Sequence, residues 1–244
     1  MKTIVIIPSR LSATRLPGKP LLKINGLSII SHVFKKAEEA NIGEVIVATE
    51  DKEIMEDVKK NGGQAILTDN KHKTGTDRIF EALQKINISN IELVMNLQGD
   101  EPLIDINDIR YLKSQMIKFR SKLGTLASKI SNKELYENQN IVKVITKEDL
   151  NNLNFPDAKN FMRKVSNKTQ NIYHHLGIYC YQNEILKKII SLNQSSNEIK
   201  HNLEQLRALD NDININVALA KSYTIGVDTE EDFVAIKKIM EYKS

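Results

Sequence analysis

The 244-residue chain has one cysteine, Cys180, no tryptophan and only five prolines. A single cysteine excludes an internal disulfide, so nothing in the sequence requires an oxidising compartment. The first apolar run, residues 3–7, ends at Pro8. It is too short for a signal peptide, and no stretch approaches the roughly 18 apolar residues of a membrane span. The sequence therefore predicts a soluble protein of a reducing compartment.

Linkers and repeats are also lacking. No proline-, glycine- and serine-rich segment, low-complexity tract or internal repeat divides the chain. Hydrophobic residues make up 41% and charged residues 27%, which is typical of a folded protein rather than a disordered one. We therefore expect a single domain over residues 1–244, although the length would also allow two small domains.

Basic residues exceed acidic ones by only four, 35 against 31. This excess has two interpretations, a nucleic-acid surface or a local anion site. Residues 8–23 carry four cations and no acid, so the rest of the chain has 31 residues of each sign. Aromatic side chains, which stack on nucleic-acid bases, make up only 5% of the chain. The distribution favours a site for a small polyanion.

Hydrophobic patterning predicts an α/β fold. Buried strands alternate with amphipathic helices, which indicates a Rossmann-like, mostly parallel mixed sheet flanked by helices. We expect a β-rich subregion at about residues 120–185 inside the domain. A helical stripe follows at Ile199, Leu203, Leu206 and Leu209, and the last helix contains Ile236. The predicted strands are residues 3–7, 45–48, 64–67, 93–97, 123–130, 141–145 and 172–181, and the early helices lie around residues 29–40, 54–60 and 79–86.

The loop at residues 8–23, PSRLSATRLPGKPLLK, follows the first predicted strand and precedes a helix. Open α/β sheets bind ligands at this position. Small residues such as Ser9 and Gly18 let backbone amides approach an anion, and cations complete a polyphosphate cradle. The loop contains neither G-x-G-x-x-G nor a P-loop motif. The alternative is an ordinary solvated basic loop. Its four cations are Arg10, Arg15, Lys19 and Lys23.

Two aspartates are candidate ligands for a metal ion. Asp100 follows the fourth predicted strand in NLQGDEPL, and Asp228 precedes the last helix in GVDTEED. Mg²⁺ prefers one or two carboxylates together with phosphate oxygens, so the pair would suit a magnesium triphosphate. Each also has a structural alternative: Asp100 would start a turn, and Asp228 or Thr229 would cap the helix.

These motifs resemble the 3-deoxy-manno-octulosonate (Kdo) cytidylyltransferase family of sugar-activating nucleotidyltransferases. The resemblance lies in SRLSATRLPGKPL, NLQGDEPL, TGTDR, YHHLGIYCY, LEQLRAL and GVDTEED, which run in order through the whole chain. It implies the nucleotide-diphospho-sugar transferase fold, and a homodimer in the cytoplasm that joins CTP to Kdo, releases pyrophosphate and supplies lipopolysaccharide synthesis. Nucleic acid and membrane insertion are not expected.

The resemblance also implies residue roles. Arg10, Arg15, Lys19 and Asp100 are the expected catalytic residues, and Asp100 and Asp228 the expected Mg²⁺ ligands. The nucleotide is expected at Pro8, Ser9, Arg10, Lys19, Thr68, Thr74 and Gly75. The sugar is expected at Arg78, Gln98, Arg163, His175, Glu204 and Gln205. Read from the residues alone, a lone histidine in a strand such as His175 is more often a satisfied core residue than a ligand-binding one.

The chain departs from the family pattern at several positions. Asp69 stands where the family has arginine, Lys71 where it has aspartate, and Glu230 where it has proline. Around Arg163 the match is loose. The exact sugar therefore stays open at this point: an 8-amino-Kdo or a sialic-acid-like sugar is the alternative substrate, and a non-enzymatic nucleic-acid binder is the remote one.

Overall fold

The computed structural model of the protein describes residues 1–12, 15–130, 133–165, 169–221 and 226–242. The strands found there are β1 (Thr3–Ser9), β2 (Lys23–Ile24), β3 (Leu27–Ser28), β4 (Glu44–Thr49), β5 (Ala65–Leu67), β6 (Leu93–Asn96), β7 (Leu123–Lys129), β8 (Lys143–Thr146), β9 (Ala158–Met162), β10 (Ile172–Gln182) and β11 (Asn216–Leu219). The helices are α1 (Ile29–Glu39), α2 (Lys52–Lys60), α3 (Gly75–Lys85), α4 (Ile106–Lys118), α5 (Asn183–Ser191), α6 (Ser196–His201), α7 (Leu206–Leu209) and α8 (Glu230–Tyr242).

The chain divides into two compact units. The first comprises Met1–Arg110 and Thr224–Ser244, and the second comprises Tyr111–Tyr223. The β-rich segment expected at residues 120–185 falls within the second unit, and α4 begins in one unit and ends in the other. The single domain over residues 1–244 stays a prediction.

The first unit is built on a parallel sheet in the order β6–β1–β4–β5. Strand β1 lies at its centre, where Ile6 pairs with Ile46 of β4 and Asn96 of β6. The side chains of Ile4, Val5, Ile6 and Ile7 are almost completely buried, as expected for a strand covered on both faces. Because the strands are parallel, the loops after β1, β4, β5 and β6 leave from the same edge of the sheet.

Helices α1, α2 and α3 pack against this sheet, α1 and α3 on β1 and β4, and α2 on β4 and β5. Two of these helices begin at well-defined caps. The Ser28 hydroxyl accepts from the backbone N–H of Ser31 at 3.2 Å, and the Thr74 hydroxyl accepts from Asp77 at 3.2 Å. Each cap satisfies an N–H group that the helix itself leaves unpaired.

The second unit contains a mixed sheet in the order β11–β7–β10–β8–β9. Strand β11 runs parallel to β7, and the other neighbours are antiparallel. The pairing of β10 with β7 shifts register between Leu176 and Tyr179. No helix in the described ranges combines the length and apolar character that a membrane crossing requires.

The α/β class and the early alternation of strands and helices are confirmed. The helical stripe through Ile199, Leu203, Leu206 and Leu209 is wrong as a single helix, because the segment forms two short helices, α6 and α7. Asn202 ends α6 in the left-handed conformation with φ 51°. Ile199 is 65% exposed, so it does not share the burial of Leu203 and Leu206.

Candidate functional site

The basic loop after β1 is closed by two backbone contacts. The N–H of Leu11 donates to Oδ2 of Asp51, just after β4, at 2.7 Å, and the N–H of Gly18 donates to the Leu11 carbonyl at 3.1 Å. Gly18 has φ 72°, a conformation that glycine adopts without strain. The chain then enters a 3₁₀ turn, Lys19–Leu21, so the loop has a defined exit at Lys19. Ala13 and Thr14 lie outside the described residues.

Lys19 joins the loop to both candidate metal ligands. Its Nζ donates to Oδ2 of Asp100, to Oδ1 of Asp228 at 3.2 Å and to the Val227 carbonyl at 2.8 Å. Only 13% of the Lys19 side chain is exposed. Burial alone would lower the pKa of the ammonium, but the charge and hydrogen bond of Asp100, and then those of Asp228, hold the pKa above its ordinary value.

Asp228 directs its carboxylate into this cluster because Thr229 caps the last helix instead. The Thr229 hydroxyl accepts from the N–H of Asp232 at 3.2 Å, and the Asp232 carboxylate accepts from the N–H groups of Asp228 and Thr229. Oδ2 of Asp228 is thereby available to Arg15, whose guanidinium lies 2.9 Å away. Of the two capping residues considered, Asp228 and Thr229, it is Thr229 that caps the helix.

An apolar cluster under the loop fixes the segment that carries Asp228. Val227 and Ile236 are buried with Ile24 and Ile29, and Leu16 packs against them. The N–H of Val227 also donates to the carbonyl of Asp100 at 2.9 Å. The beginning of the chain and its last helix are therefore held together at the carboxyl edge of the first unit's sheet.

Asp100 and Asp228 form a suitable pair for a divalent cation. One oxygen of each lies within hydrogen-bond distance of the same nitrogen, Nζ of Lys19, so the two carboxylates converge. No group of three or more His, Cys, Asp or Glu side chains in the described part of the chain is arranged to hold a metal. Two carboxylates completed by phosphate oxygens are the arrangement that Mg²⁺ commonly takes, so the donor set fits a magnesium nucleotide.

The other expected nucleotide residues of the loop lie at the end of β1. Pro8 and Ser9 are its last two residues, and Arg10 follows with an exposed side chain. Ser9 is buried, and its hydroxyl has no hydrogen-bond partner within the described ranges. A buried unpaired hydroxyl is uncommon, and it is consistent with a ligand at this position.

Thr68, Thr74, Gly75 and Arg78 lie on the segment from the end of β5 into α3. The Arg78 guanidinium is buried, ion-paired with Glu50, and donates to the Thr68 hydroxyl at 2.5 Å. The Thr74 hydroxyl donates to the Asp77 carboxylate at 2.8 Å, and Gly75 is the first residue of α3. Arg78 therefore holds the side chains of Thr68 and Glu50 in place.

Asp69 and Lys71, the two positions where the chain departs in charge from the family pattern, lie in a local turn. Oδ1 of Asp69 accepts from the N–H of Lys71 at 2.9 Å, the short-range bond typical of aspartate in turns. The Glu81 carboxylate of α3 anchors the turn through the backbone N–H of Asp69 and Nε2 of His72, and it also pairs with the ammonium of Lys85 on the same helix. Burial opposes ionisation of Glu81, but these donors lower its pKa to about 2. The substituted aspartate is thus explained by the turn.

In the second unit, His175 lies on β10 among aromatic side chains. Its ring meets Phe161 edge-on with centroids 5.0 Å apart, and Tyr179 is 5.4 Å away. Burial, and then the charge of His174, lowers the pKa of His175 to about 3, so the ring is neutral. The Thr125 hydroxyl has one proton, which it donates to the Ile178 carbonyl at 2.6 Å. Nε2 of His175, 3.0 Å from that hydroxyl, is therefore the donor, and Nδ1 is an acceptor.

Sequence reasoning missed Tyr179, four residues after His175. It is buried, and its hydroxyl has no hydrogen-bond partner among the residues that the structure describes. Burial, then the charges of Tyr181 and Glu204, raises the pKa of this hydroxyl well above its ordinary value. The charge of the expected sugar residue Glu204 thus contributes to this shift of the Tyr179 pKa. The segment that could have pointed to Tyr179 is GIYCY, the second half of the YHHLGIYCY motif on β10.

Arg163 lies just after β9 and contacts the backbone of the segment that leads to Glu204. Its guanidinium donates to the carbonyls of Gln139, His201 and Asn202 at 3.1–3.4 Å. Glu204 is exposed and Gln205 half-buried, in the connection between α6 and α7. Arg163 thus fixes this connection.

Lys143, also missed by sequence reasoning, is completely buried and donates to the carbonyls of Asn138 and Arg163. Burial lowers the pKa of its ammonium more than the charge of Glu137 raises it. Lys143 therefore ties the end of β9 to the segment before β8.

The structure brings Arg15, Lys19, Asp100 and Asp228 together in the first unit. Thr68 and Arg78 form a second group in that unit, and half-buried Gln98 lies in the turn before Asp100. His175, Arg163, Glu204 and Gln205 belong to the second unit. The nucleotide and sugar roles of these residues stay predictions.

Sequence comparison places the chain among known cytidylyltransferases. A family model described as cytidylyltransferase matches residues 4–215. The chain is 41% identical to the 3-deoxy-manno-octulosonate cytidylyltransferase of Thermodesulfovibrio yellowstonii, over 98% of both chains. It is 38% identical to 3-deoxy-manno-octulosonate cytidylyltransferase 2 of Actinobacillus pleuropneumoniae, over the full length of both.

Solved structures agree with the sequence comparison. The fold matches a CMP:2-keto-3-deoxy-manno-octonic acid synthetase complexed with CTP at a TM-score of 0.90, with 34% identity over both full chains. A UDP-glucose pyrophosphorylase matches at a TM-score of 0.75 with 16% identity over both chains, a likeness of fold alone. The chain belongs to the cytidylyltransferase family, in the group of 3-deoxy-manno-octulosonate cytidylyltransferases.

Proposed function

We propose that the protein transfers CMP from CTP to 3-deoxy-manno-octulosonate, giving CMP-Kdo and pyrophosphate for lipopolysaccharide synthesis. The proposal includes a homodimer in the cytoplasm, as the family resemblance implies. The observation that carries it is the single cluster in which the basic loop meets Asp100 and Asp228. The relatives that share the full length of the chain carry this activity in their names.

In this reaction the anomeric hydroxyl of the sugar attacks the α-phosphorus of CTP in line, and pyrophosphate leaves. Arg10, Arg15 and Lys19 bind and orient the phosphates, so that charge developing on the leaving group meets fixed cations. Asp100 and Asp228 would hold Mg²⁺, which would neutralise and orient phosphate oxygens. Pro8, Ser9, Thr68, Thr74 and Gly75 are assigned to the nucleotide. Arg78, Gln98, Arg163, His175, Glu204 and Gln205 are assigned to the sugar.

The structure favours a nucleotide site over a nucleic-acid surface. Arg15 and Lys19, half of the loop's cations, are ion-paired with Asp228 and Asp100, so they do not form an open basic patch. A nucleic-acid surface requires cations spread along a groove and exposed to the backbone. Phosphates that arrive with a divalent cation suit the mixed charges of this cluster better.

Pyrophosphate release tests the proposal when each of the four ribonucleoside triphosphates is combined with Kdo, 8-amino-Kdo or a sialic acid. We expect release with CTP and Kdo in the presence of Mg²⁺. Turnover with a different acidic sugar would correct the substrate but keep the reaction. Release from another nucleotide, or from none, would contradict the proposal.

The metal role of Asp100 is tested by Asp100→Asn. Loss of one ligand charge should cost about 2–4 kcal/mol of transition-state stabilisation, measured as kcat/KM. The matched control is Glu230→Gln, which removes an exposed carboxylate two residues beyond Asp228. Near-normal turnover of the Asp100 variant would remove this residue from the site.

A further inference from the structure

The Lys19 ammonium occupies the point at which the two aspartates converge. Its three protons face three acceptors: Oδ2 of Asp100, Oδ1 of Asp228 and the carbonyl of Val227. An ammonium has only three donors, so the group is fully satisfied. The chain thus provides its own cation for the pair of carboxylates.

A divalent ion and this ammonium require the same oxygen atoms. Mg²⁺ binds oxygen at about 2.0–2.1 Å, so an ion shared by Asp100 and Asp228 would lie where their oxygens now meet Nζ. Two cations so close together repel strongly, because the site is only partly open to water, with 13% of the Lys19 side chain exposed. They therefore compete for the carboxylates.

We propose that Lys19 is an internal competitor of the metal ion. Its ammonium holds Asp100 and Asp228 together, yields their oxygens when the metal binds, and is then released toward the nucleotide phosphates. The last step rests on the proposed function, but the competition itself does not. The Val227 carbonyl accepts a hydrogen bond from Nζ of Lys19 that does not depend on the carboxylates, so the ammonium keeps this partner while it changes position.

This arrangement couples two binding events through one side chain. A metal ion that binds alone displaces the Lys19 ammonium from the carboxylates without offering it new acceptors, so the metal binds weakly. Metal that arrives with a triphosphate offers the displaced ammonium new acceptors, so each ligand strengthens the other, as reciprocal coupling requires. Arg15 acts differently, because it contacts the other oxygen of Asp228 and is 52% exposed.

The competition is tested with Mn²⁺ alone, measured by the electron paramagnetic resonance signal of the free ion. The wild-type protein is compared with Lys19→Met and with Lys23→Met, which removes an equal charge from an exposed position of the same loop. We expect Lys19→Met to bind Mn²⁺ at least about tenfold more tightly, since a cation adjacent to the site is removed. Lys23→Met should stay within about twofold of wild type.

Equal or weaker Mn²⁺ binding by Lys19→Met would overturn the proposal. The gained affinity must also vanish in the double variant Lys19→Met with Asp100→Asn, because it belongs to that carboxylate. Persistence of the gain in the double variant would equally overturn it. No nucleotide or sugar is present, so the outcome is independent of whether CTP and Kdo are the substrates.

A second measurement uses the wild-type protein and covers the case that Lys19→Met does not fold. Amine acylation of each lysine is quantified by peptide mass spectrometry with and without Mg²⁺. Displacement should raise the acylation rate at Lys19 at least about threefold and leave Lys23 unchanged, because the ammonium loses two of its three acceptors. An unchanged rate at Lys19 under saturating metal would overturn the proposal.

Discussion

Gly99 is required for its small size rather than for an unusual backbone angle. The described glycines with positive φ are Gly18, Gly26 and Gly62, and Gly99 is not among them. A Cβ on Gly99 would lie 3.0 Å from the carbonyl oxygen of Pro8 and 3.1 Å from the side chain of Ile30. The turn that carries Asp100 therefore passes close against the end of β1.

We expect Gly99→Ala to impair catalysis more than folding. The added methyl group would shift the turn by a few tenths of an ångström and displace Asp100; since misplacement by 1 Å can cost about 100-fold in rate, we expect a smaller loss of roughly severalfold in kcat/KM. The measurements are kcat/KM and the free energy of unfolding in urea. Gly226→Ala is the control, because its Cβ would meet Asp100 and Glu101 at ordinary distances of 3.6–3.7 Å. Equal losses in both variants would contradict this account.

His174 and His175 make the folded protein sensitive to acid. Burial, and then the charge of Lys143, lowers the pKa of His174 to about 4, and that of His175 is about 3. In the unfolded chain both titrate near pH 6.5. Below that pH the unfolded state binds two protons that the folded state does not bind. The contribution of the two histidines to the free energy of unfolding is therefore fully present above about pH 6.5 and is lost as the pH falls toward 4.

The expected slope is about 1.4 kcal/mol per pH unit for each histidine between about pH 4.5 and 6. Urea unfolding at a series of pH values measures it, and His175→Gln should remove one of the two proton contributions. Thr125→Val is the control, since it breaks the hydrogen bond to Nε2 without removing a titrating ring. A slope unchanged by His175→Gln would show that this histidine is protonated in the fold.

Residue types predict chemistry better than they predict contacts. Asp100 and Asp228 come from parts of the sequence distant from Arg15 and Lys19, and the charges of these residues, with their positions after predicted strands or before the last helix, suggested an anion and metal site. Charge does not reveal that Thr229 takes over the capping role or that Lys143 is buried, because both depend on neighbours in three dimensions.

At the level of elements, continuous apolar strands and the short helix around residues 54–60 were predicted, but the division of the later segment into α6 and α7 was not. Strand β1 is a run of β-branched residues, whose burial can be inferred from composition. The segment from Ser196 to Leu209 keeps helical spacing of its apolar residues, yet Asn202 adopts φ 51° and divides it. Periodicity does not register such a break, which lies where Arg163 donates to the carbonyls of His201 and Asn202.

The connection between α6 and α7 is stabilised by a buried ion pair. Arg207 donates to Glu198 through Nε at 2.8 Å and Nη2 at 2.6 Å, and both side chains are at most 4% exposed. Glu198 also completes a capping box with Ser195 at the start of α6. Because Glu204 and Gln205 lie between these partners in sequence, the pair holds the segment that presents them.

Arg207→Met should destabilise the protein by about 3–5 kcal/mol in urea unfolding, since it leaves the Glu198 charge buried without its partner. Adding Glu198→Leu should recover part of this loss, because neither charge is then buried. Lys237→Met breaks an exposed pair with Glu241 on α8 and should cost no more than about 0.5 kcal/mol. A loss below about 1 kcal/mol for Arg207→Met would show that the pair is dispensable.

Across the whole molecule, the basic excess coincides with the candidate nucleotide site. The formal charge of +4 equals the charge of residues 8–23, and in the fold part of that charge is neutralised by acids near positions 100 and 228. The composition predicted the location of the charge but not its pairing, because the last helix reaches the loop only in the folded chain, through the apolar cluster around Val227 and Ile236 and the ion pairs of Asp228.

Ligand-dependent thermal stability tests this arrangement in the intact protein. CTP with Mg²⁺ at 100 times its Kd should stabilise the fold by about 2.7 kcal/mol, which raises Tm by roughly 5–10 °C in a chain of this size. UTP, GTP and ATP at the same concentration should raise Tm less, and single-stranded RNA should leave it unchanged at both 50 and 200 mM salt. Asp228→Asn should abolish the Mg²⁺-dependent part, because it removes a ligand contributed by the last segment of the chain. A rise with RNA that fades at the higher salt would instead identify the basic loop as a nucleic-acid surface.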